Sequence, residues 1–424
     1  MFNLTFYHNA CVGIRTDDIS ILCDPWLLDG AFYGSWYLYP PVDDPLDLVG
    51  QYDCIWVSHV HPDHYDVDFL RMYLDRYPDT QVFCGNEAGG KMLSHRMDLD
   101  GIPHESVPRI IAGETIATIY ADTSSVNSID TALVVVKGDQ SLVNSCDIEY
   151  RDGKCYADMR AIAGGQPTLG LVNYAPAGSR PQCLTDVNRN LRRLYAGMKK
   201  TQFLQTYMRK QHALNPAVTI PFASNYLLGG KLHSLNLSRG ATDPVEILSW
   251  DDTCVVLDRG GVFDLETMQV DAGDIRTVTY DWGEVLAYAA STKDNPMVYE
   301  LEPTPEEIPV DLVRSSYDRA QRNRGKPYDW FMVFSWGEDE VIVCNVRSGS
   351  DDCRIISLKD TSEMIYPRTE IQVNKALLLG VLEGRYHWNN VEVGSHWGIR
   401  ICSEDDHQEF SPEDWLYFFQ QETV

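Results

Sequence analysis

A chain of 424 residues is longer than one hydrophobic core usually serves, so two domains, or one large domain with an appended module, are expected. Hydrophobic residues at 44% and charged residues at 23% exclude a fibrous or low-complexity protein. With 62 acidic against 35 basic residues the net charge is −27, which repels phosphate backbones and anionic membranes, so no nucleic-acid partner is expected.

Apolar runs such as 131–136 and 376–382 fall far short of the roughly 20 residues that span a bilayer, so no membrane segment is expected. The first residues, MFNLTFYHNACVGIRTDD, carry no basic start and no continuous apolar stretch of a secretory signal. Eleven cysteines stand singly without a Cys-x-x-Cys pair, which suits free thiols and a cytoplasmic location.

Short β-rich runs at 4–8, 11–14 and 19–23 lead to a nearly continuous apolar run at 53–58, the pattern of a buried strand. Further strand-like runs fall at 80–84, 114–120, 131–136 and 141–144. Between them Phe69, Leu70 and Tyr73 mark a helix over 66–77. The spacing of Leu191, Leu194, Met198, Leu204, Tyr207 and Met208 predicts a long helix over 185–212, stopped by Asn215-Pro216. Its polar face is basic, with Arg189, Arg192, Arg193, Lys199, Lys200, Arg209 and Lys210, and reads either as a solvated face or as a docking face for an anionic partner. Past the Pro-rich acidic stretch 302–309 come a helix at 310–324, strands at 330–335, 341–346 and 354–358, and an apolar helix at 375–382. The chain thus divides into an α/β domain, 1–300, and a C-terminal α+β module, 301–424.

Directly after the buried run stands His59-Val-His61-Pro-Asp63-His64. Three imidazoles and a carboxylate within six residues direct many lone pairs to one spot, and such donors suit zinc, iron or manganese. A helix-capping turn leaves the three histidines unexplained. The segment 26–40 adds Trp26, Phe32, Tyr33 and Trp36 beside two glycines; such a stripe serves either as core or, as the glycines and the adjacent Asp43-Asp44 favour, as a loop covering a small-molecule substrate.

The His-x-His-x-Asp-His pattern resembles the signature of the metallo-β-lactamase fold. His8-Asn-Ala-Cys11 with Leu22-Cys-Asp24-Pro-Trp26 is similar to the entry strands of the branch that holds ascorbate-phosphate lactonases, acylethanolamine-releasing phospholipase D and CMP-N-acetylneuraminate hydroxylases. Among these the hydroxylase is the best likeness. Asn144-Ser-Cys-Asp147 resembles its second metal-site strand, Asn173-Tyr174 its substrate-side loop, and Pro221-Phe-Ala223 with Thr242-Asp-Pro244 its last motif segment. The likeness is good over roughly 1–265 and implies an αββα sandwich with the metal at one edge of two sheets.

Two departures stand out. The hydroxylase carries a Rieske domain with Cys-x-His ligand pairs, and no cysteine of this chain is followed two positions later by histidine, so an external reductase is expected. The resemblance also places a third histidine ligand some 50 to 80 residues past the motif, yet no histidine lies between His104 and His212, and Asn127 stands there instead. The resemblance then assigns His59, His61 and Asp147 to a first metal and Asp63, His64, shared Asp147 and late His233 to a second. His212 reads as a helix cap, and His104, His387 and His396 as structural or surface residues. Asp63 and His8 are the candidate catalytic side chains, although a buried hydrogen-bonded role for His8 stays open. Trp26, Phe32, Tyr33, Trp36, Asn127, Asn173 and Tyr174 are the candidate substrate-facing residues. Two activities follow: an iron oxygenase, mononuclear or dinuclear, or a zinc or dinuclear-metal hydrolase with Asp63 orienting the attacking water.

Overall fold

Strand Phe2–His8 pairs antiparallel with Cys11–Thr16 and with Val262–Asp264, and Cys11–Thr16 pairs with Ser20–Cys23. From Ser20–Cys23 the sheet turns parallel through Cys54–Trp56, Gln81–Cys84 and Glu105–Ser106. A second sheet runs antiparallel through Arg109–Ala112, Thr115–Ala121, Thr131–Lys137 and Gln140–Asn144, then parallel through Leu169–Asn173 and Val218–Phe222. This computed structural model describes residues 1–86, 88–122, 128–175, 177–273, 281–323, 329–337, 339–361, 367–402 and 413–421.

Period-two alternation decides which residues meet between the sheets. Leu4, Val12, Ile14, Ile21 and Trp56 pack on Leu133, Val135, Leu142, Leu171 and Ile220. The intervening Leu22, Ile55 and Val57 face outward onto Phe69, Leu70 and Tyr73 of helix Val67–Arg76 and onto Leu93 and Met97 of helix Ala88–Asp100. On the far side Val134, Val143 and Val172 face Tyr156 and Met159 of helix Lys154–Ile162 and Leu204, Tyr207 and Leu214 of helix Arg189–Leu214. Because both faces of both sheets are covered, the central strands read as continuous apolar runs. The layers are α, β, β, α, the metallo-β-lactamase sandwich that the motif implied.

Helix Arg189–Leu214 starts later than 185 because the Asn188 side chain caps the amides of Asn190 and Leu191, and it ends at Asn215 in the left-handed region, before Pro216. Several of its basic residues hold loops. Arg192 Nε donates to Val187 O at 3.0 Å, Lys199 Nζ to Arg180 O at 2.7 Å, Lys200 pairs with Glu246, and Lys210 is buried. Arg189, Arg193 and Arg209 remain exposed.

The C-terminal module is a five-stranded sheet in the order Cys353–Ser357, Glu340–Asn345, Phe331–Ser335, Arg368–Val373, Trp397–Cys402. Its core, around Trp388, Trp415 and Phe419, also takes in Met297, Tyr299 and Cys183. Backbone bonds from Ile399 N to Cys183 O and from Thr185 N to Ile399 O, both 2.8 Å, stitch its edge strand to the sandwich. This seam brings helix Trp388–Val393 to the edge where the histidine motif lies. Among the described residues no helix is long and apolar enough to cross a membrane.

Candidate metal centre

The histidine motif occupies the loop that leaves strand Cys54–Trp56, turned by backbone bonds from the amides of His64 and Tyr65 to His61 O. His59 Nε2 lies 2.8 Å from His61 Nδ1, and the His59 and His64 rings stand 4.2 Å apart between centroids. His64 Nε2 points between Asp63 Oδ2 at 3.4 Å and Asp147 Oδ2 at 3.6 Å. The structure therefore brings together five of the expected ligands, His59, His61, Asp63, His64 and Asp147.

Each side chain is held from behind. Asp24, wholly buried, accepts the Ser58 amide at 2.7 Å on Oδ1 and faces His64 Nδ1 at 3.0 Å with Oδ2. Ser58 Oγ stands 2.9 Å from His59 Nδ1. Asn173 Nδ2 donates to Asp147 Oδ1 at 2.7 Å, and Asn9 Nδ2 to Asp63 Oδ2 at 3.4 Å. Such outer partners set ring orientation and tautomer in metal sites.

Electrostatics matches the geometry. Burial holds His59 and His61 below the usual imidazole range, with neighbouring imidazoles adding to it at His59. Burial works against charge on His64 too, but Asp63, Cys146, Asp24 and Asp147 outweigh it and raise its pKa. Burial likewise opposes ionisation of Asp147, and His64 outweighs it, so that carboxyl titrates below the usual range. These donors fit a divalent metal. His64 Nε2 is buried without a hydrogen-bond partner while two carboxylates converge on it, a cluster that is costly unless a cation serves it.

Three groups here escaped the sequence reading. Asp130 Oδ1 lies 3.7 Å from His59 Nε2, and burial, with the Asp147 charge next, pushes its pKa up to about 7. It precedes strand Thr131–Lys137, whose first residue donates from Oγ1 to Ser58 O at 2.7 Å, fixing the approach of this loop to His59. The sequence signal was available, a carboxylate three residues past Asn127 in a stretch without histidine. Asn127 itself lies outside the described residues. Cys146, with its backbone at positive φ, brings Sγ within 4.8 Å of ligand-type atoms of His59 and His64. Its thiol lies 3.0 Å from Ser58 Oγ and 3.5 Å from His64 Nδ1, on the side away from Asp63 and Asp147, and burial keeps it protonated. The third is Asn389 of the C-terminal module, whose Oδ1 is 2.7 Å from His61 Nε2.

Other expected site residues fall elsewhere. His233 bonds Gly230 O through Nδ1 within the 3-10 turn Gly230–Ser238 and is not among the groups gathered at the motif. His8 is buried with Nε2 on Tyr39 O at 3.2 Å, its ring edge-on to Trp26. Tyr174 packs in the outer helical layer. In the aromatic segment Phe32 approaches the motif, its ring 6.2 Å from that of His61. Trp26 and Trp36 are buried in their own cluster, Trp36 stacked on Tyr226, and Tyr33 turns to the module, accepting the His387 amide at 2.8 Å.

Residues 3–148 match the family model of the beta-lactamase superfamily domain, which is the class that this sandwich and motif define. A cytidine monophosphate-N-acetylneuraminic acid hydroxylase of Asterias rubens is 34% identical over 84 residues, 20% of this chain and 13% of the relative. The chain thus covers only a small part of that relative's length. Among solved structures, CmlA, a diiron β-hydroxylase from Streptomyces venezuelae, aligns at 14% identity over 61% of this chain and 53% of its own, with a TM-score of 0.39. An isothiocyanate hydrolase from Delia radicum gut bacteria aligns at 12% identity over 62% of this chain and 98% of its own, with a TM-score of 0.44.

Proposed function

We propose that the protein is a metal-dependent oxygenase of small-molecule metabolites, its non-haem iron, mononuclear or dinuclear, held by His59, His61, Asp63, His64, Asp130 and Asp147. The observation that carries this reading is Asp130 beside His59, whose Nε2 also faces His61 Nδ1. Two imidazoles with a carboxylate form the donor set of non-haem Fe(II) oxygenases, which leaves coordination positions open. Asp147 would be shared with a second position at Asp63 and His64.

Iron in this set supplies oxygen activation, and the chain supplies the surroundings. Asp24, Ser58 and Asn173 hold the donor side chains in place. Phe32 places an apolar ring beside His61. The partial likeness to a hydroxylase supports oxidation as the chemistry. Without a Cys-x-His pair in these 424 residues, electrons would come from a separate reductase.

A zinc or dinuclear-metal hydrolase is the second reading. It is favoured by Asp63, whose carboxylate stands beside His64 where it could take a proton from an attacking water. Asp130→His separates the two. The oxygenase reading expects this variant to bind zinc at least about tenfold more tightly than the wild type and to lose O₂-dependent turnover, because a third imidazole favours zinc. Unchanged metal preference in a folded variant contradicts it.

A further inference from the structure

We infer that Asn389 is a positioning residue for the metal ligand His61, so that the C-terminal module forms one wall of the metal centre. This rests on the metal-centre reading. The link is a single hydrogen bond across the seam between sandwich and module, 328 positions apart in sequence: His61 Nε2 to Asn389 Oδ1 at 2.7 Å. A neutral imidazole carries one N–H, and an amide oxygen only accepts. His61 therefore holds its proton on Nε2 and turns the Nδ1 lone pair toward His59 Nε2, 2.8 Å away, on the side where the other donors converge. Turning the Asn389 amide over would reverse this, placing the proton on Nδ1 and blocking that nitrogen as a ligand. The acceptor supplied by the module thus selects the ligating tautomer.

The surroundings of Asn389 are those of a fixed group. Its backbone N–H donates to the ring Nδ1 of His387 at 3.1 Å, and the His387 backbone N–H donates to Tyr33 Oη at 2.8 Å. On its other side Trp388 is wholly buried, with Nε1 donating to Phe419 O at 2.8 Å and its ring 5.6 Å from that of Phe334. Two further bonds clamp the same edge: His396 Nε2 donates to Phe32 O at 2.6 Å, and Trp36 Nε1 to Val393 O at 3.3 Å. The short helix that carries Asn389 is held by the module core on one side and its ends are tied to the 32–36 segment on the other, which gives the Asn389 oxygen a defined place.

The test uses the full chain with Asn389→Leu and Asn389→Asp. Zinc stoichiometry and affinity are measured by chelator competition, and the His61 tautomer by ¹⁵N NMR. Asp only accepts and Leu does neither. The expected result is that Asn389→Leu weakens zinc at the position served by His59 and His61 about 10- to 100-fold, and that Asn389→Asp keeps the wild-type affinity with the Nε2–H tautomer. Equal affinities in the wild type and Asn389→Leu, or equal losses in both variants, overturn the inference and leave the metal-centre reading standing. A wild type that binds no zinc, iron or manganese overturns the metal-centre reading itself. If Asn389→Leu fails to fold, the wild type and Asn389→Asp still decide, since an Nδ1–H tautomer in either one contradicts the assignment.

Discussion

Asp24 Oδ2 lies 3.0 Å from His64 Nδ1, and both residues are wholly buried. Asp24 adopts a positive φ to reach this position and also accepts the Ser58 amide, so one carboxylate ties the 20–23 strand end to the motif loop. The run Leu22-Cys-Asp24-Pro-Trp26 marks this aspartate by resemblance, but its partner His64 shows only in the fold.

Asp24→Ala removes the acceptor for three buried donors, the Ser58 amide, His64 Nδ1 and the Cys146 thiol. Breaking a buried pair of this kind costs about 3–5 kcal/mol, and losing an outer partner weakens metal binding about 10- to 100-fold. Thermal denaturation and metal analysis should both register the loss. A variant with wild-type Tm and metal content would show that Asp24 neither supports His64 nor the loop.

Acid should loosen the seam between sandwich and module. His396, buried between Phe32 O and Tyr299 Oη, has its pKa pushed down to about 4, chiefly by burial. The unfolded chain takes up this proton below about pH 6.5 and the folded one does not. The stability it secures is therefore present above about pH 6.5 and is lost as the pH falls toward 4, about 2–3 kcal/mol by pH 4.5. His387, also held down to about 4, acts in the same direction. Urea midpoints at pH 7 and pH 4.5 measure the loss, and His396→Gln should flatten it. An equal loss in that variant contradicts the assignment.

The sandwich was legible because its strands alternate or run apolar according to which faces are covered, and the motif because its four donors lie within six residues. Asp147 was legible through resemblance alone. What stayed hidden comes from pairing across long separations: Asp130 reaches His59 because Thr131 bonds Ser58 O, and Asn389 reaches His61 because the module docks its short helix there. The basic stripe was legible in part: Arg189, Arg193 and Arg209 are exposed, as a solvated face requires. Its periodicity shows a polar face, while the carbonyls that Arg192 and Lys199 bind belong to loops that no helical pattern registers. The aromatic segment divides likewise: composition marks it as a unit, but only the fold sends Phe32 toward the metal side, Trp36 onto Tyr226 and Tyr33 into the module.

Under the oxygenase reading this donor set holds iron for oxygen chemistry. The most direct measurement is metal content together with O₂ uptake on protein loaded and reduced anaerobically, with iron and zinc supplied in parallel. Iron should be retained in preference to zinc, and the reduced iron form should consume O₂ in a way that Asp147→Ala abolishes. Retention of zinc with no O₂ uptake by the reduced iron form would contradict the oxygenase reading and leave the hydrolase reading.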